Sequence, residues 1–126
     1  MDIIGLGMDA EEIARVRETL ARHGDRFLHR IFTDAEIAYC MRHRDPLPSL
    51  AARFAAKEAA MKALGTGRSR GVLWKNIEVV RERGHPPQLR LTDGAERRFD
   101  AMRARGTLLT ITHSKTLALA QVLLLA

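Results

Sequence analysis

Arg53, Lys57, Glu58 and Lys62 share one alanine-rich stretch that reads as a helix, yet they do not gather on a single polar face. At about 100° per residue the apolar stripe is Leu50, Phe54, Met61 and Leu64, with Lys57 inside it and Arg53 and Glu58 on its two shoulders. Ala52, Ala56, Ala59, Ala60 and Ala63 form a small-residue face that suits close backbone packing, so the helix is expected to be covered on more than one side. Charges placed this way need partners. Arg53 and Lys57 are like charges at i, i+4, a pair that an anion would relieve, whereas Glu58 and Lys62 are in the favourable order. The plain account has the cations snorkelling to water and Glu58–Lys62 as a surface pair worth a few tenths of a kcal/mol. The chemical account is a phosphate-bearing ligand held among cations, with one carboxylate placed there for a purpose.

Asp9 supplies a second carboxylate at the end of the apolar run Ile3-Ile4-Gly5-Leu6-Gly7-Met8. Beside Lys57 and Lys62, Asp9 and Glu58 form either a structural ion-pair network or a site for a hard divalent cation. Mg²⁺ takes few protein carboxylates and completes its shell with water and phosphate oxygens. Cations, a metal and a proton acceptor are the parts that phosphoryl transfer needs. Gly65-Thr66-Gly67-Arg68-Ser69-Arg70-Gly71 reads as a phosphate cradle or, equally, as a helix C-cap followed by a basic loop. His113, at the end of an alternating strand, is either a backbone-bonded terminus or a ligand contact and proton acceptor.

The elements that must position these groups follow from local signals. Residues 3–9 read as a strand, and Ile13, Val16 and Leu20 mark a helix that stops at His23-Gly24. Asp25 to Phe32 gives basic amphipathic turns. Thr33 and Glu36 form a capping box that opens the next helix, which Asp45-Pro46-Leu47-Pro48 interrupts. The long helix starts near Pro48-Ser49 and ends at Gly65. Residues 77–80 and 88–91 read as a hairpin turning at Arg83-Gly84-His85-Pro86-Pro87. A helix over about 93–104 is closed by Gly106, and 107–113 and 116–125 read as antiparallel strands. The fold class is therefore α+β: an antiparallel sheet packed against helices, with one long central helix, in a single domain over 1–126.

Composition narrows the function classes. The 126 residues suffice for a core without staples, and a net charge of +6 favours an acidic partner. No run of apolar residues is long enough to span a bilayer, and no basic leader opens the chain, so no membrane is expected and the cytoplasm is the expected compartment. Cys40 is the single cysteine, which excludes an intrachain disulfide. Aromatic content of 5% argues against a stacking platform for nucleic acid. A non-catalytic basic domain binding RNA or acidic proteins is the rival reading. It leaves unexplained why a carboxylate stands in the most basic helix.

Taken together, Ile4-Gly5-Leu6-Gly7-Met8-Asp9 with Arg15, then Arg53-Phe54-Ala55-Ala56-Lys57-Glu58-Ala59 with Lys62 and Gly65-Thr66-Gly67, then Thr112-His113-Ser114, resemble the holo-acyl-carrier-protein synthases. The resemblance implies a small phosphopantetheinyl transferase that moves 4′-phosphopantetheine from coenzyme A to a serine of apo acyl carrier protein, leaving adenosine 3′,5′-bisphosphate. It implies Asp9 and Glu58 as Mg²⁺ ligands and Lys62 as the neutraliser of the leaving phosphate. Lys57, Arg53, Gly65, Thr66, Gly67 and His113 would line the coenzyme A site. Glu58, Asp9 or a water on the cation would take the serine proton. Arg15, Arg26 and Arg30, with Phe27, would dock the acidic carrier protein. The family's trimeric assembly, with sites at subunit boundaries, is the expected quaternary state.

Overall fold

The computed structural model describes residues 1–126, which form five helices and five strands. Strand β1 (Ile3–Glu12) leads into α1 (Ile13–His23), α2 (Asp25–Ile31), α3 (Asp34–Met41) and the long α4 (Leu47–Leu64). A 3₁₀ turn (Trp74–Asn76) precedes β2 (Ile77–Val80) and β3 (Gln88–Leu91), and α5 (Asp93–Ala101) precedes β4 (Gly106–His113) and β5 (Leu117–Leu125). The α+β expectation holds. The three-stranded sheet has the order β1-β5-β4 and is antiparallel throughout, while β2 and β3 make a separate hairpin.

Local signals account for most boundaries. Thr33 Oγ1 accepts the Glu36 N–H at 3.2 Å and Glu36 Oε1 accepts the Thr33 N–H at 2.9 Å, which completes the capping box. Pro48 stands in the first turn of α4, where a missing N–H costs nothing. Gly65 ends that helix in the left-handed conformation at φ 72°. Two boundaries depart from expectation. β1 continues to Glu12 because β5 pairs with it as far as Glu12↔Leu117, a partner from the far end of the chain. α5 stops at Ala101, Arg103 turns left-handed at φ 60°, and the Arg105 N–H bonds the Leu125 carbonyl, so Gly106 starts β4 rather than closing a helix.

Helix α4 is the centre of the molecule, with 13 of its 18 residues buried, so it has no wet face. Its alanines lie on the sheet against Ala120, Val122 and Leu124, and on its other side against Val72, Ile77 and Val79. The approach to β1 is close enough to require glycine. A Cβ on Gly7 would fall 1.9 Å from the Ala59 carbonyl oxygen, and one on Gly5 would fall 2.5 Å from that of Ala63. Gly7→Ala is therefore expected to push α4 off the strand and to cost roughly 1–3 kcal/mol or more, read as a lower denaturation midpoint at unchanged slope. This contact also sets how near the side chains of α4 stand to Asp9.

Candidate functional site

On the β1 flank of α4, Lys62 Nζ donates to Asp9 Oδ1 at 3.0 Å and to the Met8 carbonyl at 2.9 Å. Lys62 thus bonds across to the strand rather than along its own helix, and the expected Glu58–Lys62 surface pair does not form. Glu58 Oε1 instead accepts the Trp74 indole N–H at 3.1 Å, and Glu58 makes no ion pair. Asp9 Oδ2 is buried without a hydrogen-bond partner. An orphaned carboxylate oxygen is costly, and a proton held on the neighbouring Glu11 or a cation would satisfy it.

Glu11 belongs to the same cluster and was missed by the sequence reading, although residues two apart on a strand share a face. Its carboxyl is pushed up to about 8, first by burial, then by the hydrogen bond and charge of Asp9 and by the charge of Glu58, with Lys62 pulling the other way. The folded, metal-free chain keeps a proton there that the unfolded chain, with its ordinary value of 4.5, gives up. That contribution to stability is complete below pH 4.5 and is lost as pH rises towards about 8. Replacing Glu11 with glutamine should flatten this part of the stability-versus-pH curve, measured by thermal melting in chelator. No three His, Cys, Asp or Glu side chains converge on a common metal position. The donor set for a cation is a pair of carboxylates, which suits Mg²⁺ and its retained waters and phosphate oxygens.

Past the helix end, the Gly65 and Thr66 N–H groups bond the Lys62 and Met61 carbonyls, and Arg98 Nε caps the Leu64 carbonyl at 2.9 Å. Both N–H groups are thus committed to the helix cap and that of Ser69 to the Thr66 carbonyl, so the expected cradle is reduced to the N–H groups of Gly67, Arg68, Arg70 and Gly71, which make no internal bond.

Arg53 and His113 lie on the other flank of α4, beside β4, in a cavity of about 470 Å³ shared with Tyr39, Ser49 and Arg81. Arg53 is 5% exposed, its guanidinium carbon is 4.1 Å from the Tyr39 ring centre, and Nη1 donates to Ser49 Oγ at 2.9 Å. Its Nε is buried without a partner, and no carboxylate pairs with it. A buried cation lacking a counter-ion is a receptor for an anion. His113 is exposed at the strand end.

Lys57 does not line a cavity, which corrects the expectation that it contacts the ligand. It is fully buried, with Nζ donating to Glu36 Oε1 at 2.7 Å and to the Ile77 and Trp74 carbonyls at 2.6 and 3.2 Å. Burial pulls the ammonium pKa down, and Glu36 pulls it back up. The side chain ties α3, α4 and the 3₁₀ turn together with all three donors used.

A second cavity, of about 690 Å³, has an aromatic floor of Phe27, Phe54 and Trp74 and a basic rim of Arg26, Arg30 and Arg68. Arg15 does not reach it. Its carbonyl accepts the hydroxyl of Thr19, which does line the cavity, so Arg15 extends the basic surface one turn along α1.

The sequence profile of the 4′-phosphopantetheinyl transferase superfamily matches residues 5–116. The chain is 45% identical over 126 residues to a holo-[acyl-carrier-protein] synthase of Chlamydia pneumoniae, covering 100% of both proteins. Its fold matches the crystal structure of holo-[acyl-carrier-protein] synthase from Neisseria meningitidis with a TM-score of 0.91 at 27% identity, over 99% of this chain and 100% of that one. The Helicobacter pylori synthase, solved in complex with coenzyme A, matches with a TM-score of 0.84 at 28% identity, over 94% and 98% of the two chains.

Proposed function

The chain belongs to the 4′-phosphopantetheinyl transferase superfamily and, within it, to the holo-[acyl-carrier-protein] synthases, and on that footing we propose that it moves 4′-phosphopantetheine from coenzyme A to a serine hydroxyl of apo acyl carrier protein with the aid of Mg²⁺. The observation that carries this reading is the orphaned Asp9 Oδ2, with Lys62 bridging back to Asp9 and the charges of Asp9 and Glu58 both acting on the same Glu11 carboxyl. Carboxylates in a basic protein repel a pyrophosphate unless a cation lies between them.

Asp9 and Glu58 are the residues that would hold Mg²⁺, and when bound it neutralises the pyrophosphate as charge develops there. The serine oxygen forms a bond to the β-phosphorus of coenzyme A, and the bond from that phosphorus to the bridging oxygen breaks. The electron pair leaves with adenosine 3′,5′-bisphosphate, whose new charge Lys62 offsets from its place on α4. The serine proton passes to a carboxylate of the Asp9–Glu58 cluster. Lys62 is half exposed, so its ammonium can leave Asp9 for a phosphate oxygen at little cost.

In one protomer the carboxylates lie at the β1 edge and Arg53 and His113 beside the β4 edge, on opposite flanks of α4. The reading joins them through a homotrimer in which the carboxylate flank of one subunit meets the Arg53 flank of the next. The outer face of the sheet supports such assembly: Leu6, Met8 and Leu108 are each more than half exposed, and Leu6 and Leu108 flank Leu123 in one row. Arg53 then receives an anionic group of coenzyme A. No helix is long and apolar enough to cross a membrane, and the lone buried Cys40 fits a reducing compartment, here the cytoplasm.

Arg26, Phe27 and Arg30, with Arg15 below them, form the docking surface for the acidic carrier. Exposed arginines of this kind act mainly on encounter rate. Arg15→Glu is expected to raise the KM for apo carrier protein about tenfold or more, most at low salt, and to leave coenzyme A binding, measured by calorimetry, unchanged. Equal loss of both in the folded variant would remove the docking assignment. Failure of the unsubstituted chain to bind coenzyme A would remove the function itself.

A further inference from the structure

Trp74 is the only tryptophan of the chain, and it is held on several sides. The Arg68 guanidinium carbon lies 3.9 Å from its ring centre, that of Arg30 lies 5.7 Å away, and the Phe54 ring packs against it at 6.3 Å. Its N–H points to Glu58, and this is the one hydrogen bond that the Glu58 side chain makes. The alternative partner is near, because Lys62 stands one helical turn on, at the spacing that favours a Glu–Lys pair. Lys62 bonds Asp9 instead, so Trp74 and Asp9 between them keep Glu58 and Lys62 apart.

We propose that Trp74 is a positioning residue: its indole N–H pins Glu58 Oε1 and thereby leaves Oε2 free to share a divalent cation with Asp9. The inference rests on the magnesium reading above and adds to it the group that aims the carboxylate. A carboxylate oriented by an N–H on a clamped ring loses little further freedom when a cation binds. Phenylalanine would keep an aromatic ring against the guanidiniums and offer no donor. Glu58 would then be free to turn to Lys62, withdrawing both groups from the site in a single ion pair. The basic rim of the docking cavity and the carboxylate cluster thus meet at one side chain.

The test is calorimetric titration of Mg²⁺ into the chain saturated with coenzyme A, for the unsubstituted protein and for Trp74→Phe. The proposal expects the Mg²⁺ dissociation constant to rise roughly 10–100-fold in the variant, with the metal-free melting temperature nearly unchanged and coenzyme A affinity in the absence of metal unchanged. Equal Mg²⁺ affinity in the two proteins overturns the positioning role and leaves the magnesium reading standing. Absence of Mg²⁺ binding by the unsubstituted chain overturns both. If the variant fails to fold, the native chain decides the matter through its single indole N–H resonance. Loss of the acceptor in Glu58→Ala must shift that resonance upfield, and an unmoved resonance overturns the proposal.

Discussion

Asp9→Asn and Glu58→Gln will each slow transfer of phosphopantetheine roughly 10²–10³-fold at saturating coenzyme A, the loss expected when several kcal/mol of charge stabilisation leave a transition state. Both substitutions keep shape and remove charge. In Asp9→Asn the buried Oδ2 position becomes part of a neutral amide, and Lys62 keeps an acceptor but loses its counter-charge. In Glu58→Gln the Trp74 N–H keeps an acceptor, so the fold around the site is retained. Stability should move the other way. After burial, the hydrogen bond and charge of Asp9 and then the charge of Glu58 push the Glu11 carboxyl up, so like charges add to the cost of this cluster. Removing either charge should leave the metal-free melting temperature level or higher, a pattern common where function maintains local repulsion. A rate loss of less than tenfold in both variants would move the cation site elsewhere.

Lys57→Met is expected to cost roughly 3–5 kcal/mol of stability, a fall in melting temperature on the order of 10–20 °C for a chain of this size. The cause is the group left behind. Glu36 Oε1 accepts from Lys57 and Thr33, and its Oε2 accepts the Val79 N–H at 3.0 Å, all in a buried setting. Without the ammonium, a carboxylate remains buried and unpaired, and the Trp74 and Ile77 carbonyls lose a donor. Adding Glu36→Gln to Lys57→Met should therefore recover part of the loss, which a double-mutant cycle measures. A ligand-binding role for Lys57 would produce the opposite pattern, a raised KM for coenzyme A at constant melting temperature.

These two predictions mark where the sequence was legible. The capping box, the left-handed Gly65 and the small face of α4 depend on neighbours within a turn or two, and all three were readable. So was the separation of Arg53 from Glu58 onto the two shoulders of the apolar stripe, since they are five positions apart and fall about 140° from each other on a helix. Lys57 was misread because its partner Glu36 is 21 residues away and already had a visible role as the capping acid. Trp74 reaches Glu58 through a loop with no periodicity to read, across 16 residues. The full length of β1 was hidden for the same reason, because β5, its hydrogen-bonding partner, comes at the other end of the chain. Glu11 is the avoidable omission, since strand alternation alone placed it beside Asp9.

The most direct measurement is the mass of apo acyl carrier protein after incubation with the purified chain, coenzyme A and Mg²⁺. The account predicts a gain of one phosphopantetheine on the carrier's serine and release of adenosine 3′,5′-bisphosphate, with the gain abolished by chelator and restored by Mg²⁺. An unchanged carrier mass, with coenzyme A bound and the metal varied, would contradict it.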